Sequence, residues 1–197
     1  MPGAPIKIED DSRSLRFLYK NPFGRCCLKV LYAPWVSKVA GKFLDSSLSR
    51  SLITSFIKKN SIDMSQYEKV TYHDFNEFFT RRILPELRPV DMDSSNFIAP
   101  CDGLLSAYRI SNDTVIPAKQ SRYTIADLIG SKEEAAKFNN GICLVFRLCV
   151  NHYHRYFFFD NCEISKPRFI SGKLHTVRPI ALEACDVFTT NSREVTY

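Results

Sequence analysis

The sequence predicts an α+β protein in which a helical N-terminal third packs on a mostly antiparallel β core that is incomplete at the C-terminus. Two patterns lead to this prediction. Apolar residues recur at helical spacing up to about residue 60, and short apolar runs separated by turn residues follow from residue 96 onward. The 197 residues, 45% of them hydrophobic, are enough to bury one sizeable core.

The same patterns divide the chain into three segments of a single domain. Residues 1–11 are predicted to be a flexible N-terminus, residues 12–90 a basic amphipathic helical region, and residues 91–197 a β-rich core that is present only in part. No apolar run approaches the roughly 20 residues of a membrane span. The N-terminus also lacks the pattern of a secretory signal.

Two apolar runs at helical spacing define the helical region. The first contains Leu28, Leu31, Tyr32, Trp35, Val36 and Val39, and the second contains Leu48, Leu52, Ile53, Phe56 and Ile57. Pro34 interrupts the first run and should kink or restart the helix there. A later helix is predicted near Tyr72–Arg82, with Asp74 as its cap. Its Phe75, Phe78, Phe79 and Arg82 should share one side, and Pro85 and Pro89 should end it.

The net charge of +6 is concentrated in the helical region, where ten basic residues between positions 12 and 60 face one acid, Asp45. Basic, aromatic-bearing amphipathic helices are typical of proteins that bind an anionic membrane surface. The alternative is that the apolar stripes pack on the rest of the protein while the basic side chains face water. No nucleic-acid partner is predicted, because no recognised binding module accompanies the charge.

The second half is predicted to consist mainly of short strands and turns. Phe97–Pro100 leads into an Asp102-Gly103 turn and a returning strand at Leu104–Ile110. Short helices are expected at Tyr123–Leu128 and Lys132–Phe138, before an Asn140-Gly141 turn. Ile142–Val150 resembles a strand buried on both faces. Further strands are expected at Arg155–Phe159 and Lys173–Val177.

The seven cysteines are scattered without a CxxC pair: Cys26, Cys27, Cys101, Cys143, Cys149, Cys162 and Cys185. This pattern favours buried thiols in a reduced intracellular compartment over disulfides or zinc ligands.

Residues 150–156 carry the strongest chemical signal. Alternation along a strand would put His152 and His154 on one face. Asp102 lies upstream, in a sequence typical of a tight turn. Two imidazoles with a nearby carboxylate can act in proton transfer. They could also begin a metal site, as in a metal-dependent hydrolase, but no third ligand at a sensible spacing is visible, so no metal is predicted. From the spacing alone, a purely structural histidine pair is the commoner explanation.

An ordered series of motifs resolves these alternatives by resemblance. The series consists of Asp74–Arg82, Leu87–Val90, Ala99–Gly103, Tyr123–Gly130, Phe146–Leu148, Tyr153–Tyr156, Gly172–Leu182 and Asn191–Glu194. It resembles the signature of the phosphatidylserine decarboxylases, and it extends over essentially the whole chain.

The resemblance implies a single decarboxylase domain that converts phosphatidylserine to phosphatidylethanolamine and CO₂ through a pyruvoyl Schiff base. Members are made as proenzymes, in which the serine of a Gly-Ser motif cleaves the chain and becomes the pyruvoyl group of a small subunit. By similarity, Asp102 serves self-cleavage, and His154 activates the serine or protonates the carbanion. The implied protein is a peripheral membrane enzyme whose partners are phosphatidylserine, an anionic membrane surface and the small pyruvoyl-bearing subunit.

This chain departs from the family pattern near the histidines. Many members carry Asp where this chain has His152, and a second histidine where it has Phe157. His152 can replace a carboxylate as a polar partner but not as a negative charge. Arg155 is a candidate phosphate contact of the substrate, and a structural ion pair is the alternative.

The family's Gly-Ser cleavage site is expected beyond Tyr197. The one Gly-Ser dipeptide here, Gly130-Ser131, matches a different part of the pattern and is interpreted as a helix boundary. The isolated chain is therefore predicted to lack a pyruvoyl serine and to be inactive. The alternative is a non-catalytic membrane-binding or regulatory relative that lacks the cleavage segment.

Overall fold

The computed structural model describes residues 13–111, 116–118, 121–176 and 179–196. The segment predicted to be a flexible N-terminus, residues 1–11, lies outside this range. Within it the chain combines helices with antiparallel strand pairs, which confirms the predicted α+β class.

The described helices and strands are short. The helices are α1 (Arg13–Lys20), α2 (Pro22–Leu31), α3 (Pro34–Leu44), α4 (Ser51–Lys59), α5 (Phe75–Phe79), α6 (Ile125–Ile129), α7 (Lys132–Ala136), α8 (Pro179–Ala184) and α9 (Val187–Thr190). The strands are β1 (Leu104–Arg109), β2 (Ile116–Ala118), β3 (Ser121–Tyr123), β4 (Ile142–Arg147), β5 (Arg168–Ile170) and β6 (Arg193–Val195). Single 3₁₀ turns lie at Ser47–Arg50, Met64–Gln66 and Pro85–Leu87.

The described strands form three separate two-stranded pairs, namely β1 with β4, β2 with β3 and β5 with β6. The pairs β2–β3 and β5–β6 are antiparallel, with Ile116 opposite Tyr123 and Arg168 opposite Val195. At one end of the β1–β4 pair, the backbone N–H of Ile110 donates to the carbonyl of Gly141 at 2.8 Å.

The chain forms two compact units, each built from separate segments. The first unit contains the described residues of 1–37, 109–142 and 165–197, and the second contains residues 38–108 and 143–164. In the first unit, the buried residues of the main hydrophobic cluster are Tyr19, Ile180, Ala181 and Val187. In the second unit they are Ile53, Ile62, Tyr67, Tyr72, Phe78 and Ile83, of which Phe78 is completely buried.

Local signals position the helices as predicted in the N-terminal half. Pro34 begins a new helix, α3, because its ring fits the first helical turn but not a helix interior. The second apolar run forms the 3₁₀ turn at Ser47–Arg50 and helix α4. The carboxylate of Asp74 accepts a hydrogen bond from the backbone N–H of Glu77 at 2.9 Å, so Asp74 caps α5 as expected.

Helix α5 is shorter than predicted, which changes the side chains that it buries. The helix ends at Phe79, and Thr80 follows with a non-helical backbone. Helical spacing therefore does not extend to Arg82, which is exposed, and the prediction that Arg82 lies beside the three phenylalanines was wrong. Arg81 is buried instead, with only 2% of its surface exposed.

The predicted hairpin around Asp102-Gly103 was also wrong. Strand β1 pairs with β4, and Phe97–Pro100 is not a strand. In this segment the carbonyl of Pro100 accepts from the N–H of Phe157 at 2.9 Å, and Cys101 forms an isolated antiparallel bridge with Tyr156. The predicted strand at Arg155–Phe159 is reduced to this bridge. Pro100 has no N–H with which to extend a ladder.

The predicted strand at Lys173–Val177 is an isolated parallel bridge between Lys173 and Asn191, and Val177 lies outside the described residues. The Asn191 side chain explains why no longer ladder forms. Its Oδ1 accepts from the N–H of His175 at 2.9 Å, and its Nδ2 donates to the carbonyl of His175 at 2.8 Å. The backbone groups of His175 are thus satisfied by a side chain.

The prediction of a doubly buried strand with buried thiols was wrong. Strand β4 ends at Arg147, its residues are half-buried or exposed, and Ile142 is 65% exposed. The reason is that β4 has one strand neighbour, β1, among the described residues. All seven cysteines are free thiols, of which Cys26 and Cys162 are exposed and the others are half-buried.

One arginine joins two helix ends in the first unit. The guanidinium of Arg193 donates to the carbonyls of Asp127 and Leu128 at 2.9 and 2.6 Å, near the end of α6. It also donates to the carbonyl of Thr189, in the last turn of α9, at 2.8 Å. These carbonyls would otherwise lack helical partners, so Arg193 fixes α6 and α9 to each other.

Candidate active site

The carboxylate of Asp102 is held by Arg88 in the second unit. Arg88 Nε donates to Oδ1 and Nη2 to Oδ2, both at 2.9 Å, in the two-point geometry that suits guanidinium and carboxylate groups. The turn that presents Asp102 needs the next residue to be glycine. Gly103 has φ +144°, and a Cβ there would lie 3.0 Å from the carbonyl oxygen of Arg147.

Asp102 is also linked to the segment that contains the two histidines. Tyr153, which lies between His152 and His154 in the sequence, lines the same cavity as Asp102, and the backbone of Tyr153 contributes to the lowered pKa of Asp102. The hydrogen bonds from Arg88 hold the pKa of Asp102 below its usual range, and His152 acts in the same direction. Asp102 is therefore an ionised carboxylate at neutral pH.

Both candidate histidines are anchored to the backbone N–H and carbonyl groups of one residue, Cys149. The N–H of His152 donates to the carbonyl of Cys149 at 2.9 Å, which closes a tight turn. Within this turn, the N–H of Cys149 donates to Nδ1 of His152 at 3.1 Å. Nε2 of His154 lies 3.0 Å from the carbonyl oxygen of Cys149. The two imidazoles are brought together as predicted, but by a turn and not by a strand.

The environment of His154 favours its neutral form. Its ring lies against the ring of Phe79, with 4.2 Å between the centroids. Burial lowers the pKa of His154, and the charge of Arg81 acts in the same direction, although the bond to Cys149 opposes them. A neutral imidazole can accept a proton, which a general base requires.

Arg155 is anchored without a carboxylate. Its Nε donates to the carbonyl oxygen of Thr80 at 2.8 Å, and no ion pair of Arg155 is found in the described part of the chain. The same side chain borders a cavity of about 460 Å³ in the second unit. The residues that line this cavity include Arg88, Ile98, Asp102, Tyr153, Arg155 and Phe157. His152 and His154 are not among the residues that line it.

Sequence reasoning missed three residues of this site. Arg88 was visible in the Leu-Arg-Pro-Val motif but received no role. Cys149 was assigned to a strand interior, and no local signal marks it as the centre of a turn. Arg81 lies over the rings of Tyr67 and Phe78, at 4.3 and 5.0 Å from their centroids. The sequence alone does not indicate which of the adjacent residues Arg81 and Arg82 is buried.

Gly130-Ser131 is a helix boundary, as predicted. Gly130 ends α6 in the left-handed region with φ +69°, and Ser131 begins α7. The hydroxyl oxygen of Ser131 accepts from the N–H of Glu134 at 3.2 Å. This serine has a capping role of the usual kind.

Across the residues that the structure describes, no group of three or more His, Cys, Asp or Glu side chains could hold a metal ion. Over the same residues, no helix has both the length and the apolar character needed to cross a bilayer.

The chain is similar to curated proteins over most of its length. It is 39% identical over 181 residues to phosphatidylserine decarboxylase proenzyme 2 of Clostridium acetobutylicum. It is 38% and 35% identical over 185 residues to the phosphatidylserine decarboxylase proenzymes of Clostridium perfringens and Clostridium beijerinckii. Each alignment covers 91% of this chain and 62–63% of the relative, so the chain spans under two thirds of their length.

The family comparison covers the part of the chain that contains every candidate site residue. The sequence profile described as "Phosphatidylserine decarboxylase" matches residues 75–197, which include Asp102, His152, His154 and Arg155. Together with the identities to the clostridial proteins, this match confirms the family resemblance. The chain belongs to the phosphatidylserine decarboxylase family.

Proposed function

We propose that the complete protein is a carboxy-lyase that converts phosphatidylserine to phosphatidylethanolamine and CO₂. One observation in particular supports this function. An ionised carboxylate, Asp102, lies beside the segment that presents a neutral histidine, His154, since Tyr153 of that segment lines the same cavity as Asp102. Such a pair provides a fixed negative charge and a proton acceptor, both of which self-cleavage and decarboxylation require.

The pyruvoyl group of the family, when present, supplies a carbonyl that acts as an electron sink during loss of CO₂. Ser131 is a poor source for it, because its hydroxyl oxygen is occupied in capping α7. We expect another serine of the complete protein to provide the group on a small subunit. The donor set around Cys149 fits a carbonyl cofactor, since neutral imidazoles can both give and receive protons.

We assign roles to four side chains. Asp102 supplies the fixed negative charge for self-cleavage, and His154 exchanges protons with the reacting groups. His152 provides a polar contact beside them. Arg155 binds the phosphate of the substrate, because its guanidinium borders the same cavity as Asp102 and has no acidic partner among the described residues.

Release of CO₂ from phosphatidylserine vesicles by the complete protein tests this assignment. We expect Asp102→Ala and His154→Ala each to reduce the rate by about 10²-fold or more, the usual contribution of a positioned acid or base. His73→Ala is the matched control, because the side chain of His73 is 71% exposed and contacts Asp74. Wild-type rates in both site variants would refute the roles of Asp102 and His154. Vesicle binding without any CO₂ release would favour a non-catalytic relative.

We further propose that helix α3 binds an anionic membrane surface. Trp35, Val39 and Phe43 follow one another at helical spacing and are 63%, 61% and 46% exposed. Lys38 and Lys42 lie beside this stripe, one residue before Val39 and Phe43. The apolar stripe suits the acyl region, and each lysine near anionic lipid contributes about 1 kcal/mol.

Trp35 makes this proposal directly measurable, because it is the single tryptophan of the chain. Its fluorescence should shift to shorter wavelength with vesicles that contain phosphatidylserine, and much less with phosphatidylcholine alone. The double variant Lys38→Glu/Lys42→Glu should abolish the shift. Phe169→Ala, which changes a 67% exposed side chain on β5, should not affect it. No shift with anionic vesicles would exclude insertion of α3.

A further inference from the structure

We propose that the backbone N–H and C=O of Cys149 give the two histidines opposite roles. They leave His154 with an unprotonated Nδ1 that accepts protons, and they leave His152 with an Nε2–H that donates a hydrogen bond. This inference rests on the proposed function, in which both side chains act beside the reacting groups. It specifies which nitrogen of each ring is available to the reacting groups, and whether that nitrogen accepts a proton or donates a hydrogen bond.

The tautomer of His152 follows from its bond to a backbone N–H. An amide N–H can only donate, so Nδ1 of His152, 3.1 Å from the nitrogen of Cys149, must carry a lone pair. In a neutral imidazole the proton then resides on Nε2. A proton added at Nδ1 would break the hydrogen bond from the Cys149 N–H. His152 is thereby restricted to presenting an N–H donor.

The tautomer of His154 follows from its bond to a carbonyl. A carbonyl oxygen can only accept, so Nε2 of His154, 3.0 Å from the oxygen of Cys149, must carry the proton. Its Nδ1 then has the lone pair. His154 can take up a proton at Nδ1 without losing the bond to Cys149, because the imidazolium donates from both nitrogens.

The surrounding groups are consistent with this division. The charge of Arg81 and the burial of the ring both oppose a permanent positive charge on His154. Asp102 interacts electrostatically with His152, but its two oxygens are already bound by Arg88. The hydrogen bonds of the two rings go to the backbone N–H and C=O of Cys149, which therefore fix both tautomers.

The chemical consequence is that each histidine has one fixed role. When an O–H or N–H bond of a reacting group breaks, its proton moves to Nδ1 of His154, and the same nitrogen returns it later. His152 keeps its proton and donates a hydrogen bond to a substrate carboxylate or a developing oxyanion. An aspartate at this position could accept the Cys149 N–H, but it could not donate.

Nitrogen NMR of the ¹⁵N-histidine-labelled protein tests the tautomers without any need for activity. The four histidines are assigned by single substitution. We expect both rings to be protonated at Nε2 near pH 8, and His154 to gain its second proton at Nδ1 on acidification. An Nδ1–H tautomer of His154, or a protonated Nδ1 of His152 at that pH, would overturn the proposal.

Amide side chains that imitate one ring nitrogen test the roles in the complete protein. His154→Gln keeps a donor for the Cys149 carbonyl and removes the base, so CO₂ release should fall by about 10²-fold or more. His152→Gln keeps a donor near Nε2, so its rate should fall less than that of His152→Asn. His152→Asn keeps the acceptor for the Cys149 N–H and loses the outward donor, so its rate should fall by about 10²-fold.

The outcomes separate this proposal from the proposed function. If His152→Asn is as active as wild type, or if His154→Gln is, the division of roles is wrong although the protein is a decarboxylase. If the wild-type complete protein releases no CO₂, the proposed function fails. The nitrogen shifts still decide the tautomers in that case.

Discussion

Arg88 binds both carboxylate oxygens of Asp102, with nitrogen–oxygen distances of 2.9 Å in each case. A carboxylate held in this way at lowered pKa is a poor proton carrier, because protonation would break one arm of the pair. The backbone of Tyr153, in the histidine segment, acts on the pKa of Asp102 in the same direction. We therefore interpret Asp102 as a fixed charge, and Arg88 as the residue that keeps it ionised.

Replacing Arg88 by methionine should raise the pKa of Asp102 and lower the free energy of unfolding. Because the pair is partly exposed, the loss at pH 7 should be about 1 kcal/mol. A carboxylate whose pKa is lower in the folded state stabilises the fold at pH values above its unfolded-state pKa of about 4. This stabilisation is lost as the pH falls through the folded-state pKa. Urea unfolding should show a larger loss at pH 7 than at pH 3, because the contribution decreases as the pH falls toward the folded pKa of Asp102. Arg82→Met is the control, and an equal loss at both values would contradict the ion-pair explanation.

Replacing Arg81 by methionine should raise the pKa of His154. Arg81 contributes a buried positive charge that disfavours the imidazolium, and methionine fills similar space without the charge. His154 would then titrate at higher pH in an NMR pH titration. Arg81→Lys retains the charge and should leave the midpoint close to wild type. An unchanged midpoint in Arg81→Met would show that the charge of Arg81 does not contribute and that burial lowers the pKa of His154 without it.

Ser131→Ala should reduce stability without affecting self-cleavage. Loss of an N-cap hydroxyl costs about 1 kcal/mol, and the cap of α7 depends on this side chain. We expect a lower urea midpoint and normal appearance of two subunits on a denaturing gel of the complete protein. A chain that no longer cleaves would identify Ser131 as the reactive serine and refute its role as a cap alone.

Arg193→Lys should destabilise the first unit by about 2 kcal/mol, because an ammonium group cannot reach carbonyls on both helices as the planar guanidinium does. Chemical denaturation followed by circular dichroism measures the change. Arg25→Lys, at an exposed position of α2, is the matched control and should stay within about 0.5 kcal/mol of wild type. Equal midpoints for the two variants would mean that the Arg193 contacts do not stabilise the fold.

The features that could be predicted were those determined by neighbouring residues. Pro34 begins a helix, Asp74 caps one, and Gly130-Ser131 separates two, since each depends on backbone groups within a few positions. The strands were predicted less well. Asn191 satisfies the backbone of His175 from 16 positions away, and a partner so distant leaves no local signal in the sequence.

The candidate site shows the same limit. His152, His154 and Asp102 were found through motifs, but the groups that control them were not. Arg88 binds Asp102 across 14 positions, and burial of Arg81 depends on where a five-residue helix ends. The expected spacing of His152 and His154 on a strand face gave the correct proximity for an incorrect reason. A turn centred on Cys149 produces it.

The core of the first unit joins residues from opposite ends of the sequence, with Tyr19 packed among Ile180, Ala181 and Val187. A ribosome makes these residues in order, at about 5–20 residues per second. Roughly ten to thirty seconds therefore pass between the synthesis of Tyr19 and that of its partners in this core. During synthesis the nascent α1 segment would be a natural client for a chaperone or for a nearby membrane surface. The order of synthesis thus delivers α1 well before α8 and α9, which supply the other buried side chains of this core.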